Sequence, residues 1–101
     1  MSFDLLEKIK DNVILIFFYK EENRKCIDIL PYLNIIERNN EIILIKLDYE
    51  KNKEIFEKYN ITQVPIIMLK KGDTRCLIYC TDYKEIQENL NLFILKTNEQ
   101  T

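Results

Sequence analysis

Histidine is absent from this 101-residue chain, and no two of its cysteines are spaced as CxxC. Structural zinc sites draw on those ligands at close spacing, so the composition argues against one. Cysteine itself is scarce and odd in number: Cys26, Cys76 and Cys80. One glycine and two prolines leave no flexible linker, and repeats and low-complexity stretches are missing as well. A single domain over residues 1–101 is expected. No run approaches the ~18 uninterrupted apolar residues of a membrane span. The N-terminal stretch "MSFDLLEKIKDN" carries acids early and lacks the apolar centre of a signal peptide. These absences point to a cytoplasmic protein away from membranes, in a reducing compartment where cysteines stay thiols. An excess of positive charge is also lacking. Fifteen Lys and Arg face seventeen Asp and Glu, a net charge of −2, which argues against nucleic-acid binding.

What is present is 47% apolar and 32% charged, the balance of a soluble globular domain. "DLLEKIK" (4–10) reads as a short amphipathic helix with Ser2 or Asp4 to cap it. "NVILIFFY" (12–19) is a continuous apolar run of branched and aromatic residues, suited to a strand covered on both faces. From about Arg24 to Asn39 the residues Cys26, Ile29, Leu30, Leu33 and Ile36 recur at helical spacing. Pro31 lies inside that stretch, removes a backbone donor and predicts a kink. "EIILIKLDY" (41–49) is a second strand, and "KEIFEKY" a short helix with Asn52 as its cap and Asn60 suited to a left-handed close. "PIIMLKKGDTRCLIYC" reads as a hairpin turning at Lys71-Gly72-Asp73. Asp82 with Glu85 forms a capping box before a last helix that carries Ile86, Leu90, Phe93 and Ile94 on one face. The order α-β-α-β-α-β-β-α, with two buried strands joined through a helix, predicts a mixed sheet between two helical layers.

Three motifs in this order carry a resemblance. "FFYKEENRKCIDILP" is an aromatic strand leading into a helix with a cysteine and, five residues on, a proline. "IKLDYEKNKEIFEKYNITQVP" is a strand and short helix ending in Y-x-I-x-x-x-P. The hairpin and capped last helix complete the set. From about Asn12 to Phe93 the chain resembles the thioredoxin family. The resemblance implies an α/β three-layer sandwich with a mixed, four-stranded sheet, the family's first strand being missing or vestigial. The segment between Pro31 and Lys46 is slightly short for the family.

Carried over residue by residue, the resemblance implies a degenerate site. Thioredoxins attack a disulfide with the first thiol of CxxC and resolve the mixed disulfide with the second. Here Cys26 takes the second position, Asn23 the first, and Arg24-Lys25 the pair between them. Glu22 stands where an aromatic residue usually precedes the motif, and Phe17 where a buried aspartate serves the resolving thiol. Lys46 matches that aspartate's usual lysine partner and is expected to run its stem along the core toward water. Val64-Pro65 match the cis-proline, whose neighbouring backbone pairs with an extended substrate peptide. Cys80 matches a glycine at the rim of the same groove.

Two readings of Cys26 stay open: an inert, shielded thiol, or a reactive one favoured by Arg24 and Lys25. Cys76 is expected to be a packing residue. It lies roughly 13 Å from Cys80 along one strand, too far to bridge. Cys26 and Cys80 are expected to be the nearest cysteine pair, separate in the resting fold, with a latent bridge between them standing as the alternative to a shielded, inert Cys26. The leading expectation is a monomeric protein that binds polypeptide partners at the Pro65 groove with dithiol oxidoreductase activity lost or reduced, and without a cofactor. The alternative is single-thiol exchange through Cys26, with glutathione or Cys80 supplying the other sulfur. A third is an interaction module with no redox partner.

Overall fold

The computed structural model describes residues 12–79 and 82–99. The first expected helix (4–10) and Cys80 lie outside the described residues. Within them the order is β1 (Ile14–Tyr19), α1 (Arg24–Asn39), β2 (Ile43–Asp48), a 3-10 turn (Tyr49–Lys51), α2 (Lys53–Lys58), β3 (Ile66–Lys71), β4 (Thr74–Ile78) and α3 (Tyr83–Glu99).

The strands form one four-stranded sheet in the order β2-β1-β3-β4. β1 and β2 are parallel and in register from Ile14↔Ile43 to Tyr19↔Asp48. β3 lies antiparallel to β1 on its other side, and β4 antiparallel to β3. The helical connection from β1 through α1 to β2 is what a parallel pair requires.

The two central strands show why their sequence is apolar from Ile14 to Phe18 and from Ile66 to Leu69. Successive side chains of a strand alternate between faces. Leu15 and Phe17 of β1 join Ile67 and Leu69 of β3 in one core, against Ile29, Leu33 and Ile36 of α1 and Ile86, Leu90 and Phe93 of α3. Ile14, Ile16 and Phe18 join Ile66 and Met68 in a second core, with Ile55 and Phe56 of α2. Both faces are covered, so an alternating polar residue would have nowhere wet to point. The outer strand β2 relaxes the pattern: Ile45 and Leu47 are buried while Lys46 between them is exposed.

Local chemistry sets the ends. α1 runs from Arg24 to Asn39 with Pro31 inside it. Pro31 is exposed, and the carbonyl its missing amide would have served is that of Ile27. Asp82 Oδ1 accepts from the Glu85 amide at 2.8 Å, the expected cap of α3. Asn60 and Gly72 take positive φ, 56° and 61°, as the turns they close demand. Asn52 departs from expectation. It sits before α2, but its side chain makes no cap hydrogen bond. Its Nδ2 instead donates back to the Asp48 carbonyl at 3.0 Å. The preceding 3-10 turn leaves that carbonyl as the nearer partner, so the amide group ties α2 to the end of β2.

Candidate functional site

The site lies where β1 and β2 end together. After Tyr19 the chain turns through Lys20, Glu21 and Glu22, and the turn closes with the Asn23 amide donating to the Lys20 carbonyl at 3.1 Å. Asn23 is extended (φ −78°, ψ 120°) and is the N-cap of α1. Its Oδ1 accepts from the Cys26 amide at 3.1 Å. An N-terminal helix turn leaves its first amides without intrahelical partners, and a short polar side chain in this position satisfies one of them. Position 23, where the attacking thiol of the resemblance would stand, therefore holds a capping side chain.

Cys26 points the other way, into the core. It is 2% exposed and clusters with Phe17, Ile29 and Leu33. Burial pushes its thiol above the ordinary cysteine value, while a hydrogen bond to the sulfur from the Lys20 backbone opposes that rise. Arg24 and Lys25 are exposed at the surface. Arg24 pairs with Asp28 through an Nε–Oδ1 contact of 3.3 Å instead of facing the sulfur. Desolvation, and not the two cations, thus sets the thiol's protonation, because their charge is spent in water.

The resemblance implies a buried aspartate at position 17, and the residue there is a phenylalanine. Phe17 fills that position and stacks on Tyr19, with ring centroids 5.4 Å apart and an interplanar angle of 9°. Tyr19 is half-buried, and its phenol is pushed up by burial first and then by Asp48, Glu21 and Cys26. Lys46, opposite Phe17 across the parallel pair, is exposed as expected.

The second half of the site is the loop into β3. The Val64–Pro65 peptide is cis. Pro65 is buried, and Val64 is half-buried and packs against both cores, which seats the loop at the end of the sheet. Cys76 is half-buried against the core that contains Cys26, consistent with a packing residue. The expected approach of Cys80 to Cys26 falls outside the described residues.

One feature was missed in the sequence. A groove of about 570 Å³ opens beside the loop, with Lys20, Tyr49, Lys53, Phe56, Ile61 and Val64 among its lining. Lys20 Nζ lies 4.8 Å from the centre of the Tyr49 ring, and Lys53 Nζ lies 5.6 Å from it. The signal was the strand register. Lys20 follows the last residue of β1 and Tyr49 the last of β2, so a parallel pair makes them neighbours.

Among the described residues, no group of His, Cys, Asp and Glu is arranged to hold a metal ion. Nor is any described helix long and apolar enough to cross a membrane.

Comparison with known proteins places this arrangement. A thioredoxin from Schistosoma mansoni superposes with a TM-score of 0.83 at 22% identity, covering 89% of this chain and 84% of that one. A thioredoxin mutant from Halobacterium salinarum gives 0.79 at 16% identity, over 87% and 81% of the two chains. A Fasciola hepatica thioredoxin gives 0.79 at 20% identity, over 87% and 86%. At such identities these likenesses show the fold. No curated protein sequence matches this one. The sequence model of the thioredoxin domain matches residues 2–96. With that match over nearly the whole chain, and the fold of thioredoxins around it, the chain belongs to the thioredoxin family.

Proposed function

We propose that this protein is a thioredoxin-family member that binds extended polypeptides at the Pro65 edge and has lost dithiol exchange. The observation that carries this reading is the state of positions 23 and 26. Asn23 spends its side chain on capping α1, and Cys26 is 2% exposed beneath it. A disulfide exchange begins with an accessible thiolate, and burial works against both accessibility and ionisation. With no thiol at position 23, a mixed disulfide on Cys26 would also have no resolver within the motif. On this reading Asn23, Arg24 and Lys25 form the rim of the binding edge, beside Val64 and Pro65. The protein is proposed to act in the cytoplasm as a monomer.

The second reading is single-thiol exchange at Cys26 with glutathione or another thiol partner. The hydrogen bond from the Lys20 backbone to the sulfur favours it, since such a bond stabilises a thiolate.

Reduction of a model protein disulfide separates the two. The binding reading expects no turnover above background in the wild type and none in Cys26→Ser. Asn23→Cys should gain measurable but weak turnover, because Glu22 and Phe17 still oppose thiolate formation and proton transfer. Robust wild-type turnover lost in Cys26→Ser would overturn the binding reading in favour of the single thiol.

A further inference from the structure

We infer that the groove between Lys20 and the loop before Pro65 selects peptides carrying an acidic side chain next to an apolar one. The inference deepens the proposed function: it rests on the Pro65 edge being a polypeptide-binding edge, and it names the chemistry of the partner. Its carrier is the pair of ammonium groups over one aromatic ring.

Lys20 Nζ and Lys53 Nζ lie 4.8 and 5.6 Å from the Tyr49 ring centre. The negative face of the ring attracts each of them. Two like charges held near one ring repel each other, and a carboxylate placed between them relieves that repulsion. The acids already present do little of this work. Glu50 reaches Lys53 at 3.7 Å, but its side chain is 66% exposed, so the pair is weak and solvated. Glu57 lines the groove but is exposed. Lys20 is half-buried and has no ion-pair partner among the described residues.

The floor supplies the other half of the specificity. Phe56 and Ile61 are buried and Val64 half-buried, so the groove is apolar below its cationic rim. Thr62 and Gln63 form an exposed wall of the loop that leads to Pro65. A volume of about 570 Å³ accepts one or two side chains of an extended peptide, not a folded domain. In the proposed complex an apolar side chain fills this floor and an adjacent carboxylate meets the ammonium groups of Lys20 and Lys53. Lys20 also ties the groove to the degenerate motif, since its carbonyl closes the turn at Asn23.

The test is a backbone-amide NMR titration with three end-blocked peptides that share one Val/Leu frame and differ at a central Glu, Gln or Lys. End-blocking removes the terminal carboxylate, so any acidic preference belongs to the side chain. The Glu peptide is expected to shift the amides of Lys20 and Thr62 to Val64. It should bind about fivefold more tightly than the Gln peptide at low salt, with the Lys peptide weakest. High salt should erase most of that difference. Lys20→Gln and Lys53→Gln should each narrow the ratio of Glu-peptide to Gln-peptide affinity. Equal affinity for all three peptides at these residues would overturn the acidic selectivity and leave the binding edge standing. Glu-peptide shifts confined to Arg24 and Lys25 would overturn it too. No binding by any peptide would overturn both the selectivity and the binding edge.

Discussion

Asn23 and Cys26 stand three residues apart and are held by one hydrogen bond, yet they belong to different worlds. The asparagine works at the surface on the backbone, and the cysteine is a core side chain. Buried thiols pack as small apolar groups and react slowly. At neutral pH a maleimide probe should therefore label Cys26 at least about tenfold more slowly than the half-buried Cys76. Cys26 should become equivalent to it only in denaturant. Mass mapping of the labelled peptides reads each site, and prompt native labelling of Cys26 would contradict its shielding. Arg24 and Lys25 mark the limit of sequence reading at this scale. Their proximity in the chain leaves a reactive thiolate open beside a shielded one, whereas the helix turns both outward while Cys26 turns in.

Two asparagines precede two helices, and at the scale of the element they do opposite things. Asn23 accepts from an amide with its oxygen, while Asn52 donates to the Asp48 carbonyl with its nitrogen. Aspartate keeps the first function and abolishes the second. Asn23→Asp should stay within about 0.5 kcal/mol of wild type, since a carboxylate caps as well and suits the positive helix end, offset by Glu21 and Glu22 nearby. Asn52→Asp should cost about 1–2 kcal/mol, because the donor is lost and a carboxylate is set against a carbonyl oxygen. Urea unfolding of the two variants gives the comparison, and an equal cost at both sites would refute the assignment of roles. The rule that Asn caps helices puts Asn52 before α2, whereas the Asn23 cap is a finding of the structure. It could not say which atom of the amide group would be used, because the 3-10 turn before α2 forms only in the folded chain.

At the scale of the whole molecule, the buried Cys26 thiol and the half-buried Tyr19 phenol couple folding to alkaline pH. Burial raises the pKa of Cys26 and, with Asp48 and Glu21, that of Tyr19. A group with a raised folded pKa keeps its proton in the native state after the unfolded chain has released it. The unfolded state then binds fewer protons, so stability falls as pH rises. The contribution is complete below the unfolded values, about 8.5 for cysteine and about 10 for tyrosine, and is lost as pH climbs through the raised folded ones. The urea midpoint of the wild type should accordingly decline above about pH 8.5. Relative to wild type, Cys26→Val should flatten the earlier part of that decline and Tyr19→Phe the later part. Parallel profiles for all three proteins would show that neither group is linked to folding.

The sequence by itself determined the strands and α-helices and their order among the described residues, because each was written in local periodicity. An all-apolar β1, a helical repeat from Cys26 to Ile36, a positive φ at Asn60 and a cap at Asp82 need no distant partner to be legible. It also determined that position 23 carries no thiol, since the residue there is asparagine. Tertiary structure alone decided the rest. Whether Cys26 reacts depends on whether α1 lays it on Phe17 or on water, and that is a property of packing against β1. The groove depends on Lys20, Tyr49 and Val64 meeting from three separate segments. Such a meeting is set by the parallel register of β1 and β2 and by the seating of the Pro65 loop, and contacts between segments so far apart leave no periodicity in the chain.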